Sequence, residues 1–311
     1  MNSKIAFVFP GQGSQQVGMG REVFEASPEG RAVFEAADAA LGEPLSKLCF
    51  EGPDEELKLT ANTQPAVLTT SIALLRALGE RPDVAAGHSL GEYTAHVTAG
   101  TLRFEDAVRL VRLRGRFMQE AVPVGAGAMA AVLKLDDAVV EAICRETGGI
   151  VEPVNYNSPG QIVIAGEAAA VAAACERVKS AKGRAMPLPV SAPFHCRLML
   201  PAEDKLAPHL GETPFVDPRV PVYVNVDAAP VTTADAARDA LRRQVSRPVR
   251  WSESIRRMAG DGVGLFVEVG AGSALTGMIK RIAEGAQVVS VQRPADFAAA
   301  REAIAKVRAA A

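Results

Sequence analysis

The run Gly87-His88-Ser89-Leu90-Gly91, entered through Pro82-Asp83-Val84-Ala85-Ala86 and left through Glu92-Tyr93-Thr94-Ala95, has the spacing of a G-x-S-x-G nucleophile elbow. In such an elbow a serine sits on a tight turn between a strand and a helix. Its backbone is strained, and a Cβ on either side would strike the neighbouring strand or helix, so small flanking residues are required. The serine then stands at a helix N-terminus, where free N–H groups and the positive dipole end favour a developing oxyanion. A short apolar run before the turn and an Ala-rich helical stretch from Leu90 to about Ala99 supply the expected context.

An elbow needs an oxyanion donor from a second loop. Upstream, Ile5 to Phe9 reads as a buried first strand stopped by Pro10, followed by Gly11-Gln12-Gly13-Ser14-Gln15. Gly-rich turns at the carboxyl ends of strands are where ligand loops gather in open α/β sheets. Gln16 stands where a dinucleotide fingerprint needs its third glycine, and no Walker lysine follows. The main-chain N–H of Gln12 is the candidate second donor. Residues 22 to 80 read as amphipathic helices, the last opening at Asn62-Thr63-Gln64-Pro65 and running to about Leu78, with Gln64 as a cap.

Beyond the elbow, Thr101 to Val122 has helical periodicity. At 100° per residue, Ala107, Leu110, Val111, Met118 and Ala121 form one stripe, and Arg114 falls in its middle while Arg109, Arg112 and Arg116 point away. A buried guanidinium needs an anion. Two partners fit: an internal Asp or Glu, or the carboxylate of a substrate gripped by the planar fork.

From Ala126 the pattern changes to strand (Ala128–Leu133), helix (Asp136–Glu146), hairpin (Ile150–Asn155 with Gln161–Ala165), helix (Glu167–Ala181) and strand (Arg184–Val190). This βαββαβ order predicts a ferredoxin-like subdomain over 126–190. Pro123-Val124-Gly125 and Ser191-Ala192-Pro193 form its hinges, and 1–125 with 191–311 form the main body. The chain holds four histidines. His88 adjoins the serine and points away, His96 lies two helical turns on, and His209 sits in a Pro-rich loop. His195, at the return from the subdomain, is the candidate base. After it come strand Val220–Val226, helices Thr233–Gln244 and Trp251–Ala259, strand Leu265–Val269, helix Ser273–Glu284, strand Val288–Val291 and a final helix from about Ala295. This alternation predicts a mainly parallel sheet covered on both faces. Gly270-Ala271-Gly272-Ser273 is a further strand-to-helix turn, open to both a phosphate or pantetheine contact and ordinary turn chemistry.

The 311 residues carry a net charge of −2, which gives no reason to expect nucleic acid or an anionic membrane as partner. Four scattered cysteines, Cys49, Cys144, Cys175 and Cys196, predict reduced thiols rather than a disulfide framework or a zinc site. The first apolar run is too short for a membrane span and has no signal-peptide pattern. We expect a cytoplasmic monomer.

Gly11 to Gln15, Gly87 to Glu92, Arg114-Gly115, Ser191 to Cys196 and Gln244 together resemble the malonyl-CoA:acyl carrier protein transacylases of bacterial fatty acid synthesis, over nearly the whole chain. The resemblance implies an α/β-hydrolase-like core with a ferredoxin-like insert. It implies Ser89 as nucleophile, His195 as base, Gln12 and Leu90 N–H groups as oxyanion hole, Arg114 as holder of the malonyl carboxylate, and Gln244 as the residue that orients the histidine through its backbone carbonyl. Malonyl-CoA and the phosphopantetheine arm of acyl carrier protein would be the partners, with no metal or organic cofactor. A main-chain orienter would also explain why no acidic residue between serine and histidine presents itself as a triad member. Two other functions fit parts of the pattern. A serine esterase or thioesterase would use the same core, although a neutral acyl group needs no buried cation. A non-catalytic carrier-protein docking module would not need Ser89 and His195.

Overall fold

The computed structural model describes residues 3–190 and 192–310. Ten strands follow in chain order: β1 (Lys4–Phe9), β2 (Val84–Gly87), β3 (Gly127–Leu133), β4 (Val151–Ser158), β5 (Gln161–Glu167), β6 (Arg184–Pro187), β7 (Val222–Val224), β8 (Ala229–Val231), β9 (Val263–Val269) and β10 (Gln287–Val291). Six of them form one sheet in the order β10-β9-β1-β2-β7-β8. All its pairings are parallel except β7 with β8. Burial explains the composition of the centre: Ile5 to Phe9 are 0–1 % exposed, so both faces of β1 select apolar side chains.

From β1 the chain moves to β2 on one side, and only later, through β9, to the other. The loops after β1 and β2 therefore leave the same end of the sheet. The pairing Phe9↔Gly87 brings them side by side. Glycines allow the contact: a Cβ on Gly91 would lie 2.1 Å from the Phe9 carbonyl oxygen, and one on Gly11 2.5 Å from that of His88. The turn after β9 packs on the same place, since a Cβ on Gly270 would meet the Pro10 ring at 2.5 Å.

The other four strands form a separate antiparallel sheet in the order β4-β5-β3-β6. Helices Asp137–Glu146 and Ala168–Ser180 share an apolar cluster with it, including Val132, Val140, Ile162, Ile164, Val171 and Val178. Met129, Val163 and Ala165 join the main core instead. Strand β4 is tied to the main body by backbone: Val249 N–H donates to the Val154 carbonyl at 2.8 Å, and Tyr156 N–H to the Val249 carbonyl at 3.0 Å. Of the two hinge stretches, Ser191 lies outside the described residues.

Three expectations are corrected. His209 lies in a helix, Leu200–Glu212, and its ring stacks on Phe117. Pro201 sits in the first turn, where its missing N–H costs nothing, and burial of Ala202, Leu206 and Leu210 on one face outweighs the bond lost at Pro208. The helix expected to open at Asn62 begins at Thr60, with Pro65 in its interior, so Gln64 is a buried mid-helix residue and caps nothing. The hairpin strands are longer than expected, so that only Pro159-Gly160 forms the turn. Among the described residues no helix is long and apolar enough to cross a membrane.

Candidate active site

Gly87 ends β2 and Gly91 begins the helix Gly91–Thr98. A Cβ on Gly87 would fall 1.9 Å from the Gly91 carbonyl, so the strand-to-helix turn closes backbone on backbone. Ser89 at its apex has φ 51°, in the left-handed region that a serine adopts only at a cost. The turn is gripped from the side by Asn225, just past β7. Its Oδ1 accepts the Ser89 N–H at 2.8 Å, and its Nδ2 donates to the Gly87 carbonyl at 2.8 Å.

His195 lies 106 positions along the chain, yet its Nε2 is 2.7 Å from Ser89 Oγ. Its Nδ1 is 2.8 Å from the main-chain carbonyl of Gln244. A carbonyl only accepts, so Nδ1 carries the proton and Nε2 is left as the acceptor facing the hydroxyl. Burial, then the nearby Arg114 charge, lowers the imidazole pKa to about 3, which keeps it neutral.

Arg114 is 1 % exposed in helix Phe104–Glu120. Gly115 beside it lets that helix approach helix Thr60–Leu78, since a Cβ there would meet the Thr60 carbonyl oxygen at 2.6 Å. The guanidinium Nη1 donates to Gln64 Oε1 at 2.8 Å, and Nη2 to Gln244 Oε1 at 2.9 Å and to Ser89 Oγ at 3.1 Å. It also lies 5.6 Å above the Tyr93 ring. Among the described residues it forms no ion pair with an Asp or Glu, and its direct partners are neutral oxygens. Of the two partners weighed for it, an internal salt bridge is not the one present.

The loops that carry Gln12 and Leu90 lie side by side through their glycine contacts. Among the described residues neither main-chain N–H donates a hydrogen bond. The Gln12 side chain is turned away, with Nε2 donating to Thr60 Oγ1 at 3.2 Å. Leu90 heads the helix Gly91–Thr98, where the dipole adds to its N–H. His88 points away from the serine, its Nε2 2.8 Å from Asn157 Oδ1 on β4 and its ring against Trp251. His96 is fully buried on the elbow helix. The Gly270–Ser273 turn follows ordinary turn chemistry. The carboxylate of Glu268 on β9 accepts the N–H groups of Leu275 and Thr276 at 3.1 and 2.7 Å, and so occupies the helix end where a phosphate would sit. Among the described residues no group of His, Cys, Asp and Glu side chains is arranged to hold a metal ion.

A sequence model of the acyl transferase domain matches residues 6–296. The chain belongs to the acyl transferase family. Within that family it is similar to the malonyl CoA-acyl carrier protein transacylase of Escherichia coli strain K12, with 52 % identity over 96 % of this chain and 99 % of that one. It is also similar to the solved acyl carrier protein S-malonyltransferase of Vibrio cholerae, with 46 % identity, 96 % and 100 % coverage and a TM-score of 0.93. A solved type II PKS acyl-carrier protein in complex with its malonyl-transacylase matches at 46 % identity, 97 % and 100 % coverage and a TM-score of 0.94. Ser89, His195, Arg114 and Gln244, which meet at the elbow, have three further neighbours: Gln64, which the sequence suggested only as a helix cap, and Glu92 and Asn225, to which it gave no separate role. Asn225 left one usable signal, an amide inside the apolar run Val222 to Val226 at the carboxyl end of a strand.

Proposed function

We propose that this acyltransferase moves a malonyl group from malonyl-CoA to the phosphopantetheine thiol of acyl carrier protein, through a malonyl ester of Ser89, in fatty acid biosynthesis. The names of its relatives support the substrate pair. The observation that carries the mechanism is the convergence on one oxygen: Ser89 Oγ has a neutral imidazole nitrogen at 2.7 Å and a buried guanidinium nitrogen at 3.1 Å.

Ser89 attacks the thioester carbonyl as its proton passes to His195 Nε2. The oxyanion forms against the Gln12 and Leu90 N–H groups. The C–S bond breaks, and the imidazolium, held by the Gln244 carbonyl through Nδ1–H, returns the proton to the CoA sulfur. In the second half the carrier-protein thiol gives its proton to His195 and attacks the ester, and Ser89 leaves with that proton. Arg114 takes the free carboxylate of the three-carbon acyl group, whose far end cannot travel far from Oγ. No cofactor enters either half. The architecture is best read as an α/β-hydrolase-like core (1–125 and 191–311) with a ferredoxin-like insert (126–190). The support is the βαββαβ order and the spatial order β4-β5-β3-β6.

Rapid mixing with malonyl-CoA alone tests the reading. A transferase releases one equivalent of CoA per site and stops until carrier protein is added. Sustained release would indicate a hydrolase, and no release a docking module.

A further inference from the structure

Glu92 is a wholly buried carboxyl in the first turn of the elbow helix that neither half of the acyl transfer touches. Its Oε2 accepts two hydrogen bonds, from the main-chain N–H of Asn225 and from Gln244 Nε2, each at 2.8 Å. Both donors have a second task. Asn225 grips the elbow through the Ser89 N–H and the Gly87 carbonyl. Gln244 holds the histidine through its main-chain oxygen and Arg114 through its side-chain oxygen, while its amide also reaches the Ser89 carbonyl at 2.9 Å. The nucleophile, the base and the cation are thus referred to a single oxygen atom. We propose that Glu92 is the positioning residue of this site, fixing the Ser89–His195–Arg114 geometry through Asn225 and Gln244.

The other oxygen helps to separate position from charge. Glu92 Oε1 has no hydrogen-bond partner, and the nearest basic nitrogen is His96 Nε2, 4.0 Å away. Burial holds that imidazole neutral, with its pKa lowered to about 3, so it supplies no cation to pair with. Burial also pushes the Glu92 carboxyl up to about 7. An acid that is costly to ionise here, and unpaired on one side, is explained by what its other oxygen holds in place. A glutamine can put its oxygen in the same spot and turn its amide towards the neutral His96. A methionine fills the same volume and accepts nothing.

The inference rests on the acyltransferase reading for its role but is tested on two readouts, the malonyl-CoA burst and the rate at which a fluorophosphonate labels Ser89. We expect Glu92→Met to slow both by about 10- to 100-fold, because the buried Asn225 and Gln244 donors lose their acceptor. Acetyl-CoA should suffer as much as malonyl-CoA, because Glu92 touches no substrate. Glu92→Gln should stay within about threefold of the parent on both readouts. A Met variant as fast as the parent, or a Gln variant as slow as Met, overturns the proposal. If near-UV circular dichroism shows the Met variant unfolded, Gln244→Ala tests the same link. It keeps the main-chain carbonyl yet should slow labelling to the same degree, and parent-like labelling would overturn the proposal. Should malonyl-CoA give no burst in the parent while labelling follows this pattern, the substrate reading fails and the positioning role stands.

Discussion

Two turns meet at the candidate site, and they are held in different ways. Ser89 and His195 are both non-glycine residues in the left-handed region, with φ 51° and 65°. The serine turn is closed by backbone against backbone, through glycines at 87 and 91. The histidine turn is held by more distant groups. Cys196 Sγ lies 3.0 Å from the Pro193 carbonyl, Gln244 takes the ring, and Glu152 on β4 accepts the Arg197 N–H at 3.0 Å while pairing with its guanidinium. A turn built on backbone contact announces itself locally, because only glycine fits. A turn braced by side chains is written in residues scattered over the chain.

The largest effect should come from the serine turn. Gly87→Ala puts a methyl inside the Gly91 backbone, so the turn must open. We expect loss of acylation and a destabilisation of about 3 kcal/mol or more, roughly 4–5 °C or more in Tm for a chain of this size. A Gly87→Ala protein with parent-like acylation would remove the backbone-contact argument. His195→Ala leaves the serine turn intact and removes the proposed base, and single-turnover CoA release should slow by about 1000-fold or more. A small loss would assign the proton transfer elsewhere.

A substitution at Arg114 tests whether recognition is separate from chemistry. Losing a buried charge-assisted pair costs about 2–5 kcal/mol, so Arg114→Ala should lower kcat/KM for malonyl-CoA by roughly 30- to 5000-fold. Acetyl-CoA has no carboxylate and should lose little. Equal losses would make Arg114 a structural residue. The smallest effect belongs to the half-exposed brace of the histidine turn. Glu152→Ala should slow acylation by about two- to fivefold, as for a partly screened ion pair, with KM unchanged. A loss as large as that of His195→Ala would mean the brace, not the Gln244 carbonyl, aligns the imidazole.

The same contrast sets what the sequence made legible. Strand periodicity and the glycine turns disclosed the parallel sheet, the second antiparallel sheet and the elbow, because backbone geometry restricts residue type. Arg114 stood out as a cation on an apolar stripe. Gln64 was misread because Pro65 imitates a helix start, and the helix at 200–212 was hidden by two prolines that burial overrides. Asn225 and Glu92 could not be paired from sequence. Their contact joins residues 133 positions apart, and Glu92, an acid in the first turn of a helix, is ordinary where it stands.

The proposed transfer requires a malonyl ester on Ser89. Intact mass measurement after brief mixing with malonyl-CoA, followed by peptide mapping, tests it most directly. One added malonyl group is expected on the peptide that contains Ser89, and none on the Ser89→Ala protein. The same adduct on Ser89→Ala would contradict it.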